Sequence, residues 1–350
     1  MSEVSGFDPL CAALERGRHE TTCSVPVPAG DSRPISLVRR IKLRFFGGGG
    51  TSVPRSPSPF TAHRHEAVGA LVLQLASRHP QAKIILSAAE NQYGGILANA
   101  PSEVRRRLIL CFHQPPSWMR LHWLNFEALS GLGGIVCLGS KQRAFFQTLT
   151  EAPVCQIRHG VMLDFFTPVV TTRQDARKRL LFVGQWLRDF RTLSEIMPLV
   201  WAAMPDVELD CVIPRFSREA PELLTLARDA RVRWHADISP QELLALYHGA
   251  SVLVLPLLDA VANNAILEAL ACGLPIVTSA VGDIADYLPA DAGRACPAGD
   301  ARAHAAAVTQ LLADPAALAQ AGRAGRAFAQ HNLDWTTIAA RLVGELSAIA

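Results

Sequence analysis

Long apolar runs are missing from this 350-residue chain: none approaches the roughly 20 consecutive apolar residues that a membrane-spanning helix needs. The opening segment MSEVSGFDPLCAALERGRHE is acidic and mixed, without the basic and then apolar order of a secretory leader. No Cys-x-x-Cys occurs, and the cysteines at 11, 23, 111, 137, 155, 211, 272 and 296 are spread out. That spacing excludes a zinc ribbon and argues against a disulfide framework; Cys111 in LILCFHQ and Cys137 in GIVCLG read as small core hydrophobes. Charged residues are few at 19%, while apolar residues reach 49%, a balance that excludes a disordered chain. Glycine and proline follow no period, so a collagen-like repeat is out as well. The expectation is a soluble, cytoplasmic protein with a reduced interior.

The small excess of positive charge, +3, is unevenly distributed. Residues 1–165 hold 18 Lys and Arg against 11 Asp and Glu, and residues 166–350 hold 16 against 20. Arg39, Arg40, Lys42 and Arg44 form one basic cluster, and Arg105, Arg106 and Arg107 another. Such clusters suit an anionic partner or a peripheral contact with a membrane face, and equally serve as solvated loop and helix ends. Zinc spacing and basic stripes interleaved with aromatics are both absent, so a nucleic-acid partner is not expected.

From residue 61 onwards, amphipathic helical patterns alternate with short Val/Ile/Leu runs. The strands read as 83–88, 107–112, GGIVCLG and VCQIRHG, then 179–184, 207–213, 232–236, VLVLP and 275–280. Between them the pattern predicts helices over 61–79, 118–130, 190–204, 219–230, SPQELLALYHGA and 264–272. Continuous apolar strands separated by helices indicate parallel sheets covered on both faces. Two such series imply an α/β fold with two doubly wound domains, residues 1–165 and 166–350, the last helix being able to cross back. GGGGTSVPRSPSP reads as a loop or lid; Gly47–Gly50 fits neither a P-loop nor a dinucleotide fingerprint.

VLVLPLLDAVANNAILEALACGLPIVTSAVGD, residues 252–283, is the most informative stretch. The strand stops at Pro256 and a polar loop opens a helix at Asn264, a good N-cap whose neighbouring free N–H groups form an anion site. Glu268 falls one turn into that helix and Gly273 ends it. The alternative is a plain strand–helix–strand unit with a surface Glu.

LEALACGLPIVTS resembles the C-terminal donor-binding domain of GT-B glycosyltransferases, specifically the large retaining family 4 type. IRHGVMLDFFTP at 157–168 is similar to that family's interdomain linker, LLFVGQWLRDFR at 180–191 to the opening of its second domain, and LILCFHQPPSW at 109–118 to the strand presenting a His. The resemblance covers about residues 80–350. It implies two Rossmann-like domains facing across a cleft, and a nucleotide-diphosphate sugar as co-substrate. No metal is expected, since no Asp-x-Asp occupies a suitable position. By the same resemblance Glu268 takes the donor ribose, and a basic pair after Gly184 takes the diphosphate. The usual first basic position holds Gln185, which leaves Arg188 and Arg191. The family's first Glu falls on Ala260; Asp259 could substitute by a one-residue shift, or Asn263 and Asn264 could bond the sugar hydroxyls.

His113 ends an apolar strand, and Gln-Pro-Pro then turns the chain outwards, a setting for acid/base or hydrogen-bonding work. The resemblance makes it the catalytic residue that contacts the transferred sugar; a structural histidine is the alternative. His159 reads as structural, and His63, His65 and Glu66 as a surface helix without a third metal ligand. The family's glycine-rich loop beneath the donor corresponds to Gly47–Gly50, the alternative being a flexible lid. The expected activity is sugar transfer to a glycan, lipid-linked or small-molecule acceptor. A GT-B epimerase or phosphorylase and a non-catalytic nucleotide-sugar-binding protein are the rivals.

Overall fold

Parallel pairing governs both sheets formed by the described residues. The computed structural model describes residue 10 and residues 12–14, 59–95, 97–122, 126–169 and 178–348. The basic cluster at Arg39–Arg44 and the run Gly47–Gly50 lie outside these residues, as do the side chains of His63, His65 and Glu66.

The chain divides into two compact units. The smaller contains residues 59–137, as far as they are described, together with Arg143–Gln156. Its sheet has the order β1 (Ile84–Leu86), β2 (Leu108–Phe112), β3 (Gly134–Cys137) and β4 (Val154–Gln156), all parallel. All five residues of β2 are buried, as a central strand covered on both faces must be. Phe112 stacks on Phe146 with centroids 4.4 Å apart, and Met119, Leu129 and Ile135 close the core. The helix α1 (Pro59–Arg78) precedes β1. The helix expected over 118–130 is shorter, Pro116–His122, with a separate 3-10 turn at Phe126–Leu129.

The larger unit is built from Ile157–Ser347 with Leu138–Gln142 and the described residues 10 and 12–14. Its six parallel strands are β5 (Arg179–Val183), β6 (Glu208–Val212), β7 (Val232–His235), β8 (Val252–Leu255), β9 (Ile276–Ser279) and β10 (Gly293–Cys296). They are ordered β10-β9-β8-β5-β6-β7. The direction of winding therefore reverses between β5 and β8, the kind of switch point beside which doubly wound sheets bind ligands. Around the sheet lie α2 (Phe190–Ala203), α3 (Pro240–Gly249), α4 (Asn264–Ala271), α5 (Ala301–Ala313), α6 (Pro315–Asn332) and α7 (Trp335–Ala348). α3 opens with a capping box: Ser239 Oγ accepts from Glu242 N at 3.2 Å and Ser239 N donates to Glu242 Oε2 at 2.7 Å.

Two features of the larger unit differ from the sequence reading. The helix expected over 219–230 is a 3-10 turn at Pro221–Leu223 and the four-residue helix Leu224–Ala227, because Pro221 starts a tight turn and only Leu223 and Leu226 of this stretch are buried in the core. β10 was not foreseen; its sequence GRAC has buried ends and exposed centre residues, too weak a pattern to read as a strand.

Candidate functional site

The loop after β5 is shaped by Gly184, whose φ of +89° is available to glycine at little cost. A β-carbon at this position would meet Arg188 Nη2 at 2.8 Å, so glycine also makes room for the arginine to fold back. Arg188 Nε donates to Val183 O at 2.9 Å, Nη1 to Trp186 O at 2.8 Å, and Nη2 to Asn263 Oδ1 at 3.3 Å. Three of its five N–H groups are thus engaged, leaving two for a ligand. The last of these bonds crosses the switch point, from the end of β5 to the loop after β8. Arg188 makes no ion pair with Asp189, which instead caps α2 by accepting from Thr192 N and Thr192 Oγ1. The two loops are joined directly as well: Leu258 N donates to Leu187 O at 2.9 Å and Asp189 N to Pro256 O at 3.0 Å.

Asn263, not Asn264, is the N-cap residue of α4, and its side chain makes no capping bond because it accepts from Arg188. Asn264 is the first helical residue and is half-buried. The helix ends as the sequence indicated, at Gly273 with φ +65°, where Leu274 N bonds Ala269 O and Gly273 N bonds Leu270 O. Every residue from Ala265 to Ala271 is buried, Glu268 included. Its Oε2 accepts from Tyr247 Oη on α3 at 2.7 Å, a partner that the sequence reading missed. Tyr247 is itself buried, edge-on to Phe166 with centroids 5.9 Å apart.

Burial sets the electrostatics of this cluster. It pushes the Glu268 carboxyl up to about 7, against the opposing Tyr247 hydrogen bond and the Arg188 charge. It also lowers Arg188 to about 10, while the nearby Tyr247 and Glu268 act in the other direction. Arg188 is therefore charged at neutral pH and Glu268 is poised between its two forms.

Asp259 is half-buried and closes on its own loop, Oδ1 accepting from Ala260 N at 2.8 Å. Ala260 is buried and its carbonyl accepts from Asp283 N at 3.0 Å, which pins the position where the resemblance expects a Glu. Arg191 is exposed in the first turn of α2, its side chain making no hydrogen bond or ion pair among the described residues. Trp186 and Leu258 are exposed apolar side chains on the same two loops.

In the smaller unit His113 follows β2 and is partly exposed. The Glu90 carboxylate lies beneath it: Oε1 accepts from the backbone N–H of both His113 and Gln114. Two of the clustered arginines serve the fold. Arg105 bonds the carbonyls of Ala128 and Ser130, and Arg107 those of Pro80 and Ala76. Arg106 is exposed. In the larger unit His159 is buried, donating its N–H to Tyr287 Oη and lying edge-on to Trp335. Among the described residues no group of three His, Cys, Asp or Glu is placed to hold a metal ion, and no helix is long and apolar enough to cross a membrane.

Residues 177–314, which contain β5 to β10 and the Arg188–Glu268 cluster, match the family described as "Glycosyl transferases group 1". A glycogen synthase of Mycobacterium tuberculosis is 37% identical over 195 residues, 54% of this chain and 47% of that protein. A D-inositol 3-phosphate glycosyltransferase of Arthrobacter is 29% identical over 219 residues, 58% of this chain and 51% of that protein. The chain thus spans about half the length of the curated relatives it matches. Among solved structures, a sucrose-phosphate synthase from Thermosynechococcus elongatus superposes with TM-score 0.65 at 20% identity, over 87% of this chain and 83% of that one. The Anabaena HepE protein, in complex with UDP and glucose, gives 0.63 at 14% identity over 81% of each chain. The chain has the GT-B fold, and residues 177–314 of its larger unit match the glycosyl transferases group 1 family.

Proposed function

We propose that the protein is a retaining GT-B glycosyltransferase, family 4-like, that moves a sugar from a nucleotide-diphosphate donor to a glycan, lipid-linked or small-molecule acceptor. One observation carries the reading: Arg188 and Asn263 meet across the β5/β8 switch point beside the buried Glu268–Tyr247 pair, inside the group 1 domain. Glu268 in its ionised form accepts from the donor ribose hydroxyls. The two remaining Arg188 N–H groups and the first-turn N–H groups of α4 receive the diphosphate, countering the charge that develops as the sugar departs. Arg191 adds a positive charge at the rim, and His113 contacts the transferred sugar. Asp259, Asn263 and Asn264 line the loop that takes the sugar. UDP-containing complexes of HepE support a nucleotide sugar as the ligand class.

The buried Ala260 at the expected Glu position supports a second reading, a protein that binds the donor without turning it over. Both readings are tested by a thermal-shift screen of nucleotide sugars followed by a nucleotide-release assay. A donor that raises the melting temperature and is consumed supports the transferase. Binding without consumption, with any acceptor, leaves the second reading. No stabilisation by any nucleotide sugar, with Glu268→Gln and Arg188→Ala behaving as wild type, overturns both.

A further inference from the structure

Glu90 sits on the short helix Ala89–Gln92 after β1, and its side chain is 2% exposed. Its Oε1 holds the turn that leaves β2, accepting from His113 N and, at 2.7 Å, from Gln114 N. Its Oε2 is buried with no hydrogen-bond partner and stands 3.9 Å from His113 Nδ1. A carboxylate oxygen withdrawn from water and left without a donor is costly, and such a group in a native fold calls for an explanation.

We propose that Glu90 is a positioning residue for His113, an inference that rests on the reading of His113 as the contact to the transferred sugar. One oxygen fixes the backbone that carries the histidine. The other favours the tautomer with hydrogen on Nδ1, which makes Nε2 the acceptor nitrogen, able to receive a hydrogen bond from a sugar hydroxyl. The 3.9 Å separation is longer than a hydrogen bond and closes when ligand draws on Nε2. Proline at 115 and 116 turns the chain away immediately afterwards, so the orientation of this turn depends on the Glu90 oxygen.

Glu90→Gln separates the two duties. The Gln carbonyl oxygen still accepts from the two backbone N–H groups, because the amide nitrogen cannot. The amide –NH₂ is then turned towards Nδ1, a donor facing a nitrogen that had been a donor, and the opposite tautomer is favoured. Long-range 15N–1H spectra of histidine-labelled full-length protein, with the His113 signals assigned by their loss in His113→Ala, should show Nδ1–H in the wild type and Nε2–H in Glu90→Gln. In nucleotide release from UDP-glucose, Glu90→Gln should lower kcat about tenfold or more at nearly unchanged KM and melting temperature. The Glu90→Gln/His113→Ala double variant should be no slower than His113→Ala, as expected for residues that act as one unit. Glu90→Ala, which also frees the turn, should lower the melting temperature.

The same tautomer in both proteins overturns the proposal, whatever the activity with UDP-glucose. So does a wild-type kcat in Glu90→Gln when His113→Ala is slow, and that result spares the role of His113. A wild-type rate in His113→Ala removes the sugar contact itself and Glu90's purpose with it.

Discussion

The Tyr247 hydroxyl donates to Glu268 Oε2 at 2.7 Å, joining the helix before β8 to the helix after it within the core of the larger unit. This single bond holds one carboxylate oxygen of a buried acid in place and, on the proposed reading, leaves the other for the donor.

Glu268 should make the free protein less stable as pH rises. Its carboxyl is raised from 4.5 to about 7, so the folded state binds this proton more tightly than the unfolded chain does. The stabilisation is complete below about 4.5 and is lost as pH rises through about 7. That span corresponds to roughly 3 kcal/mol at most. Glu268→Gln removes the titration, so its melting temperature relative to wild type should be more favourable at pH 8 than at pH 5. Equal differences at the two pH values would count against a buried, proton-binding Glu268.

Tyr247→Phe takes away a hydrogen bond to a carboxylate, with an expected cost of about 1.5–3 kcal/mol when Glu268 is ionised. Because that bond favours the ionised form, its loss should move the titration of Glu268 further up. Calorimetry with the cognate nucleotide sugar across pH 6 to 9 should show tight binding beginning at a higher pH than in wild type. An unshifted profile would mean that Glu268 does not bind the donor as an anion.

Gly184→Ala should damage the loop in two ways. The φ of +89° disfavours any side chain by about 1–2 kcal/mol, and the new methyl would press on Arg188 Nη2. Stability and donor affinity should fall together, measured by denaturant unfolding and calorimetry on the same preparation.

Arg188 and Arg191 should respond differently to removal. Arg188→Ala loses hydrogen bonds to charged groups and should weaken donor binding by about 1.5–3 kcal/mol. Arg188→Lys should be nearly as weak, since an ammonium cannot reach the three acceptors of the guanidinium. The exposed Arg191 acts through screened charge, so Arg191→Ala should cost less than about tenfold, and less still at high salt. An equal loss for both would place them in one clamp.

What could be read in the sequence was local. LVLP, the polar loop and the helix around Glu268 follow one another without interruption, and each has its own signal in strand composition, breaker or cap. The Schellman end at Gly273 was legible for the same reason. Arg188 could be named but its fold-back could not, since that depends on the φ of Gly184 and on Asn263, 75 positions away. Tyr247 was read only as part of an amphipathic helix. A buried tyrosine needs a hydroxyl partner, but only the packed structure shows that it is Glu268. Arg105 and Arg107 looked like a patch for an anion because carbonyl partners some 20 to 30 residues away leave no trace in local charge counts.

The short antiparallel link between Leu187–Asp189 and Pro256–Leu258 has a kinetic meaning. The two loops that frame the switch point open together or not at all, so the amide hydrogens of Asp189 and Leu258 should exchange slowly with solvent in the empty protein. On the proposed reading, a donor docking there would meet groups whose freedom was already lost on folding, and little of its attraction would be spent on ordering them. Binding should accordingly add scant further protection from exchange, and association should proceed in a single phase without a slow rearrangement.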